Sequence, residues 1–189
     1  MKAALLVIDV QDSFKAGARW ERRNNPAFEQ NVERLIAAFR RADQPVVYFL
    51  HSDGDPHFER TSPHHRLMNF LTPLAGEPVM RKITRNCFTS TPLIPHLLRE
   101  GAGRVVICGI QTEQCCETTA RIGADFGFAV DFVTEATLTF PIARTDAADS
   151  EELSADAVVE RTEYALRGRF ARIVSVADIE QSLTIAATA

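Results

Sequence analysis

The chain has 189 residues, 46% of them hydrophobic and 24% charged, with 21 basic against 25 acidic side chains and a formal net charge of −4. That length buries a core without disulfides or a structural metal, and the mildly acidic balance excludes a basic nucleic-acid-binding module. No apolar run approaches the roughly 20 residues that span a bilayer, and the apolar content excludes a disordered chain. The opening Met1-Lys2-Ala3-Ala4-Leu5 lacks the longer apolar stretch and cleavage site of a signal peptide. The expectation is a soluble, cytoplasmic, single domain over 1–189.

In chain order, the first apolar run, 3–9, reads as a buried parallel strand, as do 45–50, 104–109, 128–134 and 172–176. Asn25-Pro26 predicts a helix start, a cap followed by proline in the first turn. Phe28, Val32, Leu35, Ile36 and Phe39 then share one helical face. Pro78-Val79-Met80 is a shorter strand candidate ending at Arg81-Lys82. Thr91-Pro92 opens a second helix that Gly101 closes. A third helix starts near Thr112 or Glu113 and stops at Gly127. Ser154 caps a fourth, with Ala155, Val158, Val159, Thr162, Ala165 and Leu166 inward and Gly168 past its end. Strands alternating with helices predict an α/β fold, a three-layer α/β/α sandwich around a mostly parallel sheet of about six strands. Two stretches resist assignment: 51–78, with four of the five histidines, and 139–153, with four acidic residues. Long segments of this kind in a compact domain are usually functional loops.

In an open parallel sheet, ligands bind outside the carboxyl ends of the strands. Asp9 ends the first run, and an acid there is costly unless compensated. Lys82 ends the short strand candidate at the same edge. The run 104–109 leads through Ile110-Gln111-Thr112-Glu113-Gln114 into Cys115, in the first turn of a helix. Free backbone N–H groups and the helix dipole there favour thiolate. Cys87, Cys108, Cys115 and Cys116 show no CxxC spacing, which disfavours a zinc knuckle or disulfide framework. Adjacent cysteines in a helix are poorly placed to pair with each other. No GxGxxG or GxxxxGK[ST] follows a strand, which disfavours nucleotide binding.

Three segments resemble the isochorismatase-like cysteine hydrolases. Ala4 to Phe14 is similar to that superfamily's opening strand and its DxQxxF turn. Lys82 with Asn86-Cys87-Phe88 and Thr91-Pro92-Leu93 is similar to its lysine segment, with Asn and Cys where Ser and Ala are usual. Gly109 to Arg121 is similar to its G-x-x-T-[DE]-x-C-V-x-x-T-A motif, with Cys116 in place of Val. The resemblance runs from residue 3 to about 176. It implies a Cys–Asp–Lys triad in which Cys115 is the nucleophile, Asp9 the general base and Lys82 the cation. It also implies a cis peptide at Ile110–Gln111 and an oxyanion hole from the backbone N–H groups of Gln111 and Cys115. A thioester would form and be released by water.

Nicotinamidases of that superfamily hold a metal through an Asp-x-His pair after the second strand, whereas the matching stretch here reads His51-Ser52-Asp53. The expectation is therefore no metal and no cofactor, although His57, His64 and His65 share the loop. Retention of Cys115 points to hydrolysis of a C–N bond in a small amide or carbamoyl compound. The alternatives are a vinyl-ether hydrolase of the isochorismatase type and a non-catalytic binding or assembly protein. Phe14, Trp20, His51 and Phe88 are candidates for the substrate pocket. The expected partners are a small-molecule substrate and further copies of the chain in a homodimer or homotetramer, with no nucleic acid and no membrane.

Overall fold

The computed structural model describes residues 2–144 and 151–188. Its eight strands are β1 (Lys2–Ile8), β2 (Val46–His51), β3 (Val79–Lys82), β4 (Ala102–Ile110), β5 (Ala129–Leu138), β6 (Ile142–Ala143), β7 (Glu152–Leu153) and β8 (Arg172–Ile173). The helices are α1 (Phe28–Arg41), α2 (Leu93–Glu100), α3 (Glu117–Asp125), α4 (Ala155–Leu166) and α5 (Val176–Thr188). Six strands form one parallel sheet in the order β3-β2-β1-β4-β5-β8.

The strand period of two explains the three layers. Leu5 and Val7 of β1 face a core filled by Phe28, Val32, Leu35 and Phe39 of α1 and Val176 and Ile179 of α5. Ala4, Leu6 and Ile8 point the other way, against Leu93 and Leu97 of α2, Ala120 of α3 and Leu166 of α4. A strand buried on both faces must be apolar, and β1 is so over its buried part, Ala4 to Ile8.

Some boundaries move. α1 begins at Phe28 rather than at Asn25-Pro26. Asn25 instead takes a left-handed φ of 56° and donates through Nδ2 to the carbonyls of Glu135 and Thr137 in β5. The expected strand 172–176 shrinks to Arg172–Ile173, because Val176 already starts α5. Gly101, in a left-handed conformation, closes α2, and the Ser154 hydroxyl accepts from Ala157 N at the start of α4. Val159 and Ala165 of α4 are only half-buried.

The loop after β2 is tied down rather than free. Gln11 and Leu67 form an antiparallel bridge, Met68 N donates to Val10 O, and Arg66 Nε donates to Asp12 at 2.8 Å. Of the second unassigned stretch, 145–150 lies outside the described residues. Its flanks pair as β6 with β7, and Arg22 donates to Glu152 through Nη1 and Nη2. No helix among the described residues is long and apolar enough to cross a membrane.

Candidate active site

The chain runs from β1 outward to β2 and β3, then returns past β1 to β4. The winding direction therefore reverses between β1 and β4, which opens a crevice at their carboxyl ends. Asp9 follows β1 directly and adopts φ 53°, a left-handed conformation that is uncommon for a residue with a side chain. Gly109, paired with Ile8 in the sheet, has φ 130°. A Cβ there would lie 2.0 Å from Ile8 O. Only glycine lets β4 approach β1 this closely, and the chain beyond it delivers Cys115 to Asp9.

The Ile110–Gln111 peptide is cis. Thr112–Cys116 forms one π-helical turn ahead of α3. Thr112 Oγ1 donates to Thr137 Oγ1 in β5 at 2.8 Å, which anchors the start of the turn. Thr119 Oγ1 donates to Cys115 O at 2.6 Å, which anchors its end. From the other side of β1, His51 of β2 is the register partner of Lys82 of β3. Three neighbouring parallel strands thus end at one level.

Lys82 Nζ is the hub. It lies 2.8 Å from Asp9 Oδ2, 3.3 Å from Cys115 Sγ and 3.2 Å from His51 Nδ1, and it donates to the carbonyls of Thr84 and Arg85 at 3.1 Å each. Asp9 and Lys82 are fully buried, and Cys115 keeps 3% exposure. Burial alone would lower the Lys82 ammonium, but the Asp9 charge, with Cys115 and Cys87 behind it, outweighs that, and its pKa is raised. Lys82 is therefore charged at neutral pH. Asp9 thus takes the ammonium on Oδ2 as a buried ion pair.

The thiol departs from expectation. Burial pushes Cys115 up, Asp9 adds to the shift, and Lys82 opposes it without cancelling it. The helix-terminus argument for a resting thiolate fails because the dipole supplies at most ~2 kcal/mol, less than the cost of a buried anion. The resting group is a thiol beside an acceptor. Cys87, Cys108 and Cys116 are pushed up by burial as well, and all three are fully buried.

The expected pocket residues separate. Phe14 packs edge-on against Phe58 at 4.9 Å and stacks on Phe140 at 6.1 Å, and Trp20 approaches Phe140 at 6.4 Å. These rings form one aromatic cluster, which Phe58 links to His51 at 6.3 Å. Phe88 does not join it. Its ring packs on Phe126 and Phe128, against Gly123 of α3, in the core on the other face. His51 is buried and bonded to Lys82, so it stands behind the ammonium rather than lining open space.

Among the described residues no group of three His, Cys, Asp or Glu side chains is placed to hold a metal ion. His65 bonds Ser52 Oγ at 2.8 Å, and the His57 and His64 rings meet edge to face. A cavity of about 270 Å³ lined by Lys2, Gln44, Arg104, Asp131 and Leu183 lies at the opposite, amino end of the sheet. Sequence reasoning passes over Gln11, whose side chain accepts from His51 N at 2.7 Å and donates to His51 O, locking the end of β2 to the end of β1. It also passes over Asp53, 3.3 Å from His51 Nε2. The spacing of Asp53, two residues after His51, is the available signal.

The sequence and the fold both match known proteins. The Isochorismatase domain family matches residues 3–177. Nicotinamidase 3 of Arabidopsis thaliana is 32% identical over 73% of this chain and 74% of its own length. A streptothricin hydrolase of Streptomyces noursei is 31% identical over 74% of this chain and 55% of its own. The crystal structure of an isochorismatase-family protein from Chromobacterium violaceum superposes with a TM-score of 0.88 at 29% identity, covering 97% of this chain and 94% of that one. With most of its length inside the family domain and the same fold throughout, the chain belongs to the isochorismatase family of hydrolases.

Proposed function

We propose that the protein is a cysteine hydrolase that cleaves the C–N bond of a small amide or carbamoyl compound through a thioester on Cys115. The observation that carries this reading is the single ammonium of Lys82 within 2.8 Å of Asp9 and 3.3 Å of Cys115 at the reversal point of the sheet. The streptothricin hydrolase among the relatives supports hydrolytic chemistry on this fold.

In this reading Asp9 takes the Cys115 proton as the sulfur attacks the substrate carbonyl carbon. With Lys82 on Oδ2, the second oxygen of Asp9 remains to accept that proton. The tetrahedral oxyanion is held by the backbone N–H groups of Gln111 and Cys115, each worth on the order of 3 kcal/mol in the barrier. Protonated Asp9 gives its proton to the leaving nitrogen, the C–N bond breaks, and an amine or ammonia departs. Water then attacks the thioester, Asp9 takes a proton from it, and the acid and the free thiol are released. Lys82 offsets the negative charge that moves between carboxylate and sulfur, which has little solvent to stabilise it. Phe14, Trp20 and Phe140 supply the apolar wall against which the substrate lies.

A screen of primary amides, carbamoyl compounds and hydroxamates for release of ammonia or amine tests this directly. Turnover that vanishes in Cys115→Ala, with brief iodoacetamide treatment labelling Cys115 ahead of Cys87, Cys108 and Cys116, is the expected result. Vinyl-ether cleavage with no C–N hydrolysis, or turnover that survives in C115A, overturns it.

A further inference from the structure

The segment 15–23, between β1 and α1, carries four cations: Lys15, Arg19, Arg22 and Arg23. Three of them are engaged. Lys15 lies 3.9 Å from Asp12 and 3.6 Å from Glu29, Arg22 is paired with Glu152, and Arg23 Nη1 donates to Trp20 O at 2.8 Å. Arg19 has no carboxylate within ion-pair distance and no hydrogen bond through its guanidinium among the described residues. Its guanidinium lies over the Phe140 ring instead, 4.3 Å from the centroid. An arginine over a ring face is held in place without a polar partner.

Two sets of contacts tie this cation to the active site. Phe140 stacks on Phe14, Phe14 meets Phe58, and Phe58 faces His51, which is bonded to Lys82. From the other side, Glu113, two residues before Cys115, is the carboxylate whose charge reaches Arg19. Glu113 does not take the guanidinium as a partner, because its oxygens are already occupied. Oε1 accepts from Gln111 Nε2 at 3.1 Å, and Oε2 accepts from Thr139 Oγ1 at 2.5 Å. Glu113 is thereby bound to the turn that carries Gln111 and Cys115. Surrounding protein strips part of the water from the Arg19 guanidinium, which lowers its pKa while Glu113 opposes the shift. An arginine stays charged at neutral pH even so. A cation that is partly dry, has no anion of its own and stands at the edge of an apolar wall is suited to an incoming anion. Its planar fork matches a carboxylate.

We propose that Arg19 is a specificity-determining residue that grips a carboxylate of the substrate, so that the small amide or carbamoyl compound cleaved at Cys115 is an anionic one. The reacting carbonyl lies at Cys115 and the carboxylate lies on the Phe140 side, with the apolar wall between them. This reading deepens the function proposed above and rests on it for the reacting end, whereas the anion site can be read from binding alone.

The test sets 4-oxopentanoate and 5-oxohexanoate against their methyl esters as protectants of Cys115 from iodoacetamide at pH 7. These methyl ketones have the shape of succinamate and glutaramate but no C–N bond to cleave. In the wild-type protein at least one acid should protect at a concentration at least about tenfold lower than its ester, the worth of one charge-assisted hydrogen bond. Arg19→Gln should abolish that margin, and Arg19→Lys, which keeps the charge but not the fork, should retain part of it. The native guanidinium makes no hydrogen bond among the described residues, so the urea midpoint of R19Q should stay at the wild-type value. Acids that protect no better than their esters, or a margin that survives in R19Q, overturn the proposal. Turnover supplies the second measurement: kcat/KM for succinamate should exceed that for succinamide, and the gap should close in R19Q. Equal cleavage of the two by the wild type would leave the hydrolase standing and remove the anion site. A margin for the acids that depends on Arg19, in a protein whose amide turnover survives C115A, would instead fault the proposed function alone.

Discussion

Asp9 and Asp131 are both carboxylates shut away from water, at 0% and 1% exposure, at opposite ends of the same sheet. Asp131 is clasped by Arg172, with Nε to Oδ1 at 2.7 Å and Nη2 to Oδ2 at 2.8 Å, and Arg104 stands 3.7 Å off. Asp9 has a single ammonium equally near, on Oδ2, and its other oxygen carries no such clasp. Glu117 at the head of α3 resembles Asp131, being held by Arg121, Arg161 and Thr162. A buried carboxylate whose lone pairs are all engaged has nothing left to accept and serves as a strut. One with an oxygen left open can still take up a proton.

The sharpest way to break this contrast is to neutralise each acid in turn. Asp9→Asn should lower kcat on a substrate found by the screen by about 10²–10⁴-fold, the usual worth of a general base. Turnover at the wild-type rate would remove Asp9 from the chemistry. Asp131→Asn should do the reverse. Urea unfolding should show a loss of about 1–3 kcal/mol, since a charge-assisted pair is weakened while the freed arginines stay largely in water, and Cys115 should alkylate at the wild-type rate. If D131N slows alkylation as D9N does, the division between strut and base fails.

The smallest effect is one of pH. His51, His65 and His96 are each held below the ordinary histidine value near 6.5, in every case first by burial. As pH falls through 6.5 the unfolded chain takes up protons that the native state still refuses, so the native state loses stability over that window. The urea midpoint should therefore drop between pH 7 and pH 5.5. A midpoint that holds or rises would mean that these rings are charged in the fold.

Much of the fold is legible in the sequence because the strands are buried on both faces and so carry uninterrupted apolar runs, as Ala4 to Ile8 does. Helix ends with local chemistry are legible as well: Ser154 caps α4 and Gly101 closes α2, as their side chains or lack of one require. The start of α1 is not, because Asn25 spends its amide on β5, a partner 110 residues away that no local pattern reveals. The run 172–176 reads as too long a strand because apolar residues over that length do not separate a two-residue edge strand from the first turn of α5. Phe88 is misplaced for a related reason. Its position beside a motif says nothing of which face its ring takes, and the space left by Gly123 decides that.

At the site, strand ends mark Asp9, Lys82 and the turn leading to Cys115 as candidates at a common edge, and the family resemblance singles them out as a triad. The protonation state of Cys115 is not legible. A helix start is a local feature that argues for thiolate, while burial is a property of the packed molecule that argues against it, and here burial prevails. The part of His51 is hidden in the same way, since a histidine at a strand end reads alike whether it faces a substrate or an ammonium.

The order of residues along the chain was sufficient to specify the alternation of strands and helices, the sheet edge where chemistry gathers and the three side chains that meet there, because these depend on local periodicity and on strand direction. How each buried carboxylate is partnered, what His51 faces and whether the sulfur rests charged were decided only in three dimensions. Hydrogen-bond alignment and desolvation are set by atoms distant in sequence, and they exist only once the chain has closed around them.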